Sequence, residues 1–296
     1  MAWSLIIFLL NINLSIDFTG GMNIRVASSL DENFVTNADI YLAEAGFDGL
    51  AVSTKSEDLY TDISIKTSTQ DDAEVGKISA SVKQFLLENK YIADVDGILQ
   101  SSITGPSVGS YMQSAALKAI VLGLLFMVIY MLFSFAGIRK TIAPSILGTV
   151  TVMTMFFDIL IPAGAFGLLM MVNPTVQVDT VFIIAILTIM GYSINDTIII
   201  FDRVRENIDR STGSQGIIYG KIFENSLWQT MRRSMGTSIS TLLVIITMYI
   251  FGSGVIQLFA FTMGIGVISW TFSSIFIAAP LAYLMLGKFN KEKSKL

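Results

Sequence analysis

Between Val178 and Phe201 lies an apolar run long enough to cross a bilayer, and it contains Asn195 and Asp196, followed at once by Thr197-Ile198-Ile199-Ile200-Phe201. A carboxylate inside a membrane helix costs roughly 2.5–3.5 kcal/mol on insertion scales. Such a group faces a bundle interior or a wet cavity, and it is by default a functional candidate. The alternative is that Asp196 lies close enough to the helix end to reach the interface, because Asp202 and Arg203 follow within two turns.

The rest of the composition agrees with a membrane setting. Of 296 residues, 53% are hydrophobic and 14% charged, whereas soluble domains carry roughly 25% charged residues. The chain is an integral membrane protein with one polar insertion. It has no cysteine, which excludes disulfides, thiolate metal sites and cysteine nucleophiles. It has no histidine either, so any proton-carrying step falls to carboxylates, with lysine, tyrosine or water in support. The net charge of −4 and the lack of a basic stripe argue against a nucleic-acid partner. No pattern suggests a cofactor or a metal.

Residues 1–16 are expected to form a first transmembrane helix, Ala2 to Ile16, which is short against the roughly 20 residues that span a bilayer. Residues 17–111 are the polar insertion. Its periodicities predict strands at Asn23–Ser28, Gly49–Thr54, Tyr60–Thr67 and Asp94–Ile103, and helices at Glu32–Ala45 and from Asp71-Asp72 to Glu88. On the second helix Val75, Ile78, Val82, Phe85 and Leu86 share one face. The order βαββαβ predicts an α+β ferredoxin-like domain with helices over one face of an antiparallel sheet. Ser102–Ser107 is the linker back to the membrane.

Residues 112–287 are expected to form a five-helix transmembrane bundle, for six transmembrane helices in all. The predicted spans are Met112–Ser134, Thr141–Pro162, Val178–Phe201, Gly236–Phe251 and Leu258–Leu286, with a kink site at Pro280. The link Ala163–Gln177 is expected in the interface. Basic residues cluster at Arg139-Lys140, between Arg203 and Arg233, and in the tail 288–296 with Lys288, Lys291, Lys293 and Lys295, while the opposite links hold none. By the positive-inside rule both termini are cytoplasmic and residues 17–111 are exported.

Asp196 leads the candidates for reversible protonation, with Asn195 as a polar group that orients water or packs across helices. Arg232 and Arg233 open the predicted fifth span as interface anchors, or else one of them is the charge partner of Asp196. Gly236/Ser240 and Thr237/Thr241 have the small-xxx-small spacing that lets a helix approach a neighbour closely. Asp158, before Pro162, is read as an interface group or as a secondary proton site. Asp179 is read as structural at a helix start, and Asp202, Arg203 and Glu206 as a solvated helix end. Asp17-Phe18-Thr19-Gly20-Gly21 stands where the first helix meets the insertion, and its glycines permit backbone conformations that other residues resist.

Taken together, Ser15-Ile16-Asp17-Phe18-Thr19-Gly20-Gly21, the βαββαβ insertion, and Gly191-Tyr192-Ser193-Ile194-Asn195-Asp196-Thr197 with Phe201-Asp202-Arg203-Val204-Arg205-Glu206-Asn207 closely resemble the SecF family, accessory subunits of the bacterial Sec protein translocase. The resemblance covers essentially the whole chain. It implies a multi-pass protein of the bacterial inner membrane, related to RND-type transporters. The implied partners are SecD, the SecYEG channel, translocating preproteins and membrane lipid. It also implies a non-enzymatic role in which proton flow drives movements of the exported domain. By position, Asp196 matches the family's proton-responsive aspartate and Arg233 its important arginine. Ser15 stands where the family usually has glycine, and Ser234 where it has threonine. Two other functions are weighed: an RND-type small-molecule or lipid exporter subunit, and a scaffold of the translocase without energy coupling.

Overall fold

A computed structural model describes residues 2–27, 30–31, 33–47, 50–57, 60–67, 71–134, 144–173, 175–211 and 219–293. Of the residues named above, Ser28, Glu32, Gly49, Arg139, Lys140, Thr141 and Lys295 lie outside this set, as do the side chains of Lys288, Lys291 and Lys293. The chain forms two compact units. One comprises Met1–Asn11, Ala119–Leu168 and Val181–Leu296, and the other Ile12–Lys118 with Leu169–Thr180.

The chain opens with helix α1 (Ala2–Leu10). Its nine residues give about 14 Å at 1.5 Å per residue, well under the roughly 30 Å of a hydrocarbon core. The break comes where Asn11 turns its side chain onto the Ile7 carbonyl at 2.8 Å. Ser15 then starts a single turn, α2 (Ile16–Thr19), by accepting from the Asp17 amide. Ser15 thus has a capping role of its own.

The sheet unit continues as β1 (Gly21–Val26), α3 (Phe34–Glu44), β2 (Ala51–Glu57), β3 (Tyr60–Lys66), α4 (Asp72–Glu88), a 3₁₀ turn and β4 (Ile98–Thr104). The strands lie in the order β2-β3-β1-β4, antiparallel throughout. Alternation dictates the faces: Met22, Ile24 and Val26 stand opposite Ile65, Ile63 and Thr61, and all six are buried. Over that face lie Phe34, Ala38 and Leu42 of α3 and Ile78, Val82, Phe85 and Leu86 of α4. All five residues expected on one side of α4 are buried, and Asp71 caps it through the Ala73 amide at 2.9 Å. On the reverse face Arg25 pairs with Asp62 at 2.7 Å and lies 4.1 Å over the Tyr60 ring.

The helical unit is built from α5 (Pro106–Ser134), which begins in the sheet unit, α6 (Pro144–Val172), α7 (Thr180–Ser211), α8 (Tyr219–Phe251), α9 (Val255–Ser273), a π segment (Ser274–Ala278) and α10 (Ala279–Lys293). Among the described residues, five helices are long and apolar enough to cross a membrane, α9 to α10 counting as one. Two expected boundaries are corrected. The span expected to end at Pro162 instead continues as α6 to Val172. The proline removes one amide donor, yet the glycine face beyond it is held by packing. A Cβ on Gly164 or Gly167 would come within 2.8 Å of the Ser4 or Phe8 Cα of α1. Likewise α8 starts at Tyr219, not near Gly236, because Ile222, Phe223 and Ser226 give its polar first half a buried side. At Pro280 the expected irregularity takes the form of the π segment just before it, a wider turn that accommodates the missing donor.

Candidate functional site

On α7 the buried positions Ser193, Asp196, Thr197, Ile200, Val204 and Ile208 recur every three or four residues, so one stripe of the helix faces inward. Asp196 is 4% exposed, and its Oδ2 has no hydrogen-bond partner. Nearly all buried polar atoms are paired, so an orphan oxygen on a charged side chain calls for a cause. Arg233 lines the cleft beyond it, and no direct ion pair joins the two. Asn195, about 100° further round the helix, is exposed on this chain and reaches no neighbouring helix of it.

One turn beyond Asp196, a cleft of about 510 Å³ is lined by Ile198, Ile199, Asp202, Arg203, Glu206 and Arg233, among others. Its walls are fastened by polar contacts between α7 and α8. Arg203 donates to Gln229 at 2.6 Å and pairs with Glu206, while Asn207 donates to Ser226 at 2.8 Å and to Gln229 at 3.0 Å. Asp202 and Arg205 pair locally at 3.1 Å. The helix end expected to be merely solvated therefore also fixes the register of two antiparallel helices. Followed two turns further, that register brings Asp196 to the level of Arg233–Thr237. Arg232 and Arg233, both exposed, stand in mid-helix and not at a helix start.

The packing seam of α8 is not the expected one. Gly236, Thr237 and Ser240 are exposed, and a Cβ on Gly236 would meet nothing within 4 Å. The buried residues are Ser226, Thr230, Ser234 and Ser238, the same four-residue spacing displaced by two positions. Ser238 meets Thr271 of α9 at 2.7 Å, and Ser234 Oγ is a second buried atom without a partner. Both stripes satisfy the small-xxx-small rule, so spacing alone did not choose between them. Tyr192 of the Gly191-Tyr192 pair stacks on Trp270 at 5.2 Å, whereas Gly191 has open space around it.

Asp158 belongs to the interior of the helical unit. It is fully buried and accepts three hydrogen bonds, from Ser193 of α7 at 2.5 Å and from Ser273 and Ser269 of α9 at 2.7 and 3.1 Å. These serines were missed, although Ser269 and Ser273 share a helix face at i,i+4 in an otherwise apolar run.

A second constellation lies in the sheet unit. Asp17 accepts from the amide of Thr180 at 3.1 Å and from its hydroxyl at 3.0 Å, and so caps the first turn of α7 from 163 residues away. Gly20 and Gly21 have φ of 80° and 134°, the region that favours glycine. Gly109 of α5 packs so closely that a Cβ there would lie 2.9 Å from the Gly20 nitrogen. Replacing Asp17 by alanine is expected to cost about 1 kcal/mol, the usual value of a cap. Faster hydrogen exchange at the Thr180 and Val181 amides checks it, and unchanged exchange would contradict the capping role.

The family model for the protein export membrane protein SecD/SecF, C-terminal region, matches residues 87–288. A protein translocase subunit SecF from Calditerrivibrio nitroreducens is 30% identical over 95% of this chain and 86% of its own length. The SecF of Endomicrobium trichonymphae is 29% identical over 95% and 84%. Among solved structures, the crystal structure of SecDF, a translocon-associated membrane protein from Thermus thermophilus, superposes with a TM-score of 0.71 at 25% identity. That match covers 96% of this chain and 37% of the SecDF chain. With the family model spanning more than half of its residues and a SecF relative 30% identical over most of both chains, this chain belongs to the SecF branch of the SecD/SecF family of protein-export membrane proteins.

Proposed function

We infer that this chain works as the SecF-type subunit of a Sec protein translocase, pairing with SecD beside the SecYEG channel and using the proton-motive force to assist export of preproteins. Asp196 exchanges protons, and Arg233 stabilises its ionised state. The observation that carries the reading is a buried acid with a free oxygen, one turn from an open cleft whose lining includes Arg233. Such a group responds to its protonation state because nothing else neutralises it permanently.

In this reading α1 completes a six-helix set in the inner membrane with both termini cytoplasmic. Residues 17–111 form the exported ferredoxin-like domain, supported by the element order and by the sheet order β2-β3-β1-β4. The Lys/Arg distribution supports the orientation. Asn195, exposed next to Asp196, faces SecD. Reconstituting this chain with SecD, SecYEG and a translocating preprotein tests the reading: preprotein release is expected to accelerate when a proton gradient is imposed. Equal release with the gradient collapsed would leave only a scaffold.

A further inference from the structure

Asp158 is the other acid in the apolar parts of these helices, and the function above makes no use of it. Along Pro144–Val172 it is the only charged residue, and Val255–Leu286 has none. The groups facing it are the hydroxyls of Ser193, Ser269 and Ser273. Asp196 lies on the same buried stripe of α7, one turn after Ser193, and the described arginines of the bundle are Arg203, Arg205 and Arg210 of α7 and Arg232 and Arg233 of α8. No cation is among Asp158's partners. A permanently ionised carboxylate so enclosed would be an uncompensated buried charge.

The hydroxyl positions resolve this. Ser273 Oγ stands 2.7 Å from Asp158 Oδ2 and 3.2 Å from the Trp270 carbonyl oxygen. A hydroxyl has one hydrogen, so it satisfies only one of these acceptors at a time. With Asp158 ionised, all three serines donate to it. When a proton arrives on Oδ2, the new O–H donates to Ser273 Oγ, and the Ser273 hydrogen turns to the Trp270 carbonyl. Ser193 and Ser269 keep donating. Each state is fully hydrogen-bonded, and no bond between heavy atoms changes.

We propose that Asp158 is a second proton-exchanging carboxylate of the bundle, with Ser273 as the hydroxyl that switches between its two states. Trp270 also accepts from the Ser274 amide where the π segment begins, so the switch alters the hydrogen bonding of that turn. The proposal stands apart from the role of Asp196, and its test keeps the two separate.

The test is infrared difference spectroscopy on pH change, with the full chain in its SecD complex in lipid vesicles and Asp196→Asn as background. A carboxylic-acid carbonyl band is expected to appear on acidification and to vanish when Asp158→Asn is added. Ser269→Ala keeps Asp158 but removes one donor to its ionised form, so the band should persist to about tenfold lower proton concentration. Identical spectra with and without Asp158→Asn overturn the proposal. Should Asp158→Asn fail to fold, an unchanged titration in Ser269→Ala overturns it just as well.

Discussion

Asp196→Asn is expected to reduce export by the reconstituted translocase to its rate without a proton gradient, while the SecD complex still assembles. Asparagine has nearly the shape of aspartate and the same hydrogen-bonding reach, but it does not ionise. Asp196 is 4% exposed, with one oxygen unpartnered, so the amide fits with little repacking. Stability should stay within about 1 kcal/mol of the parent, since no partner is orphaned. A structural acid would behave otherwise, losing assembly or thermal stability before it lost the gradient response. Measuring release rate against imposed gradient, beside recovery of the complex, separates the two. Undiminished gradient-dependent release would remove Asp196 from the mechanism.

Gly21→Ala is expected to be the most damaging single methyl in the sheet unit. The residue has φ of 134°, which an L side chain rarely adopts, and the new Cβ would overlap the Ile65 carbonyl oxygen of the neighbouring strand. That oxygen belongs to the backbone of the ladder in which Gly21 pairs with both Lys66 and Thr104, so it has no room to withdraw. Backbone strain and overpacking each contribute roughly 1–3 kcal/mol, and together they are a large share of the 5–15 kcal/mol of a typical domain. Gly46 is the control. It also has positive φ, 87°, but a Cβ there meets nothing within 4 Å, so Gly46→Ala should cost about 1–2 kcal/mol from strain alone. Hydrogen exchange of the β1 and β3 amides in the two variants gives the comparison. Equal protection in both would show that contact with Ile65 is not what makes Gly21 necessary.

The sheet unit was largely legible in advance because water lies on one side of it. Alternation in Met22–Val26, the Asp71 cap and the spacing from Val75 to Leu86 all report which side is dry. In the bundle that signal is missing, since lipid and protein interior are equally apolar. Asn195 and Asp196 are adjacent, yet one points outward and the other in. The Ser226–Ser238 stripe and the Gly236/Ser240 pair are equally plausible seams. Asp158 looked like an interface group because its partners lie 35, 111 and 115 residues away. The start of α8 was misplaced for a related reason: a helix whose first half is amphipathic falls below any hydropathy threshold for a span. What did come through was the identity of the costly residue, because the energy of an intramembrane acid does not depend on knowing its neighbours.

The π segment at Ser274–Ala278 has a mechanical consequence. A wide turn stores one surplus residue, and moving that surplus one position along the axis rotates the residue it passes by about 100° without unwinding either end. Ala279 and Ala282, which follow it, are buried and small, while Tyr283 and Leu286 anchor α10 further along. Amides between Trp270 and Ala279 should therefore exchange faster than those on either flank.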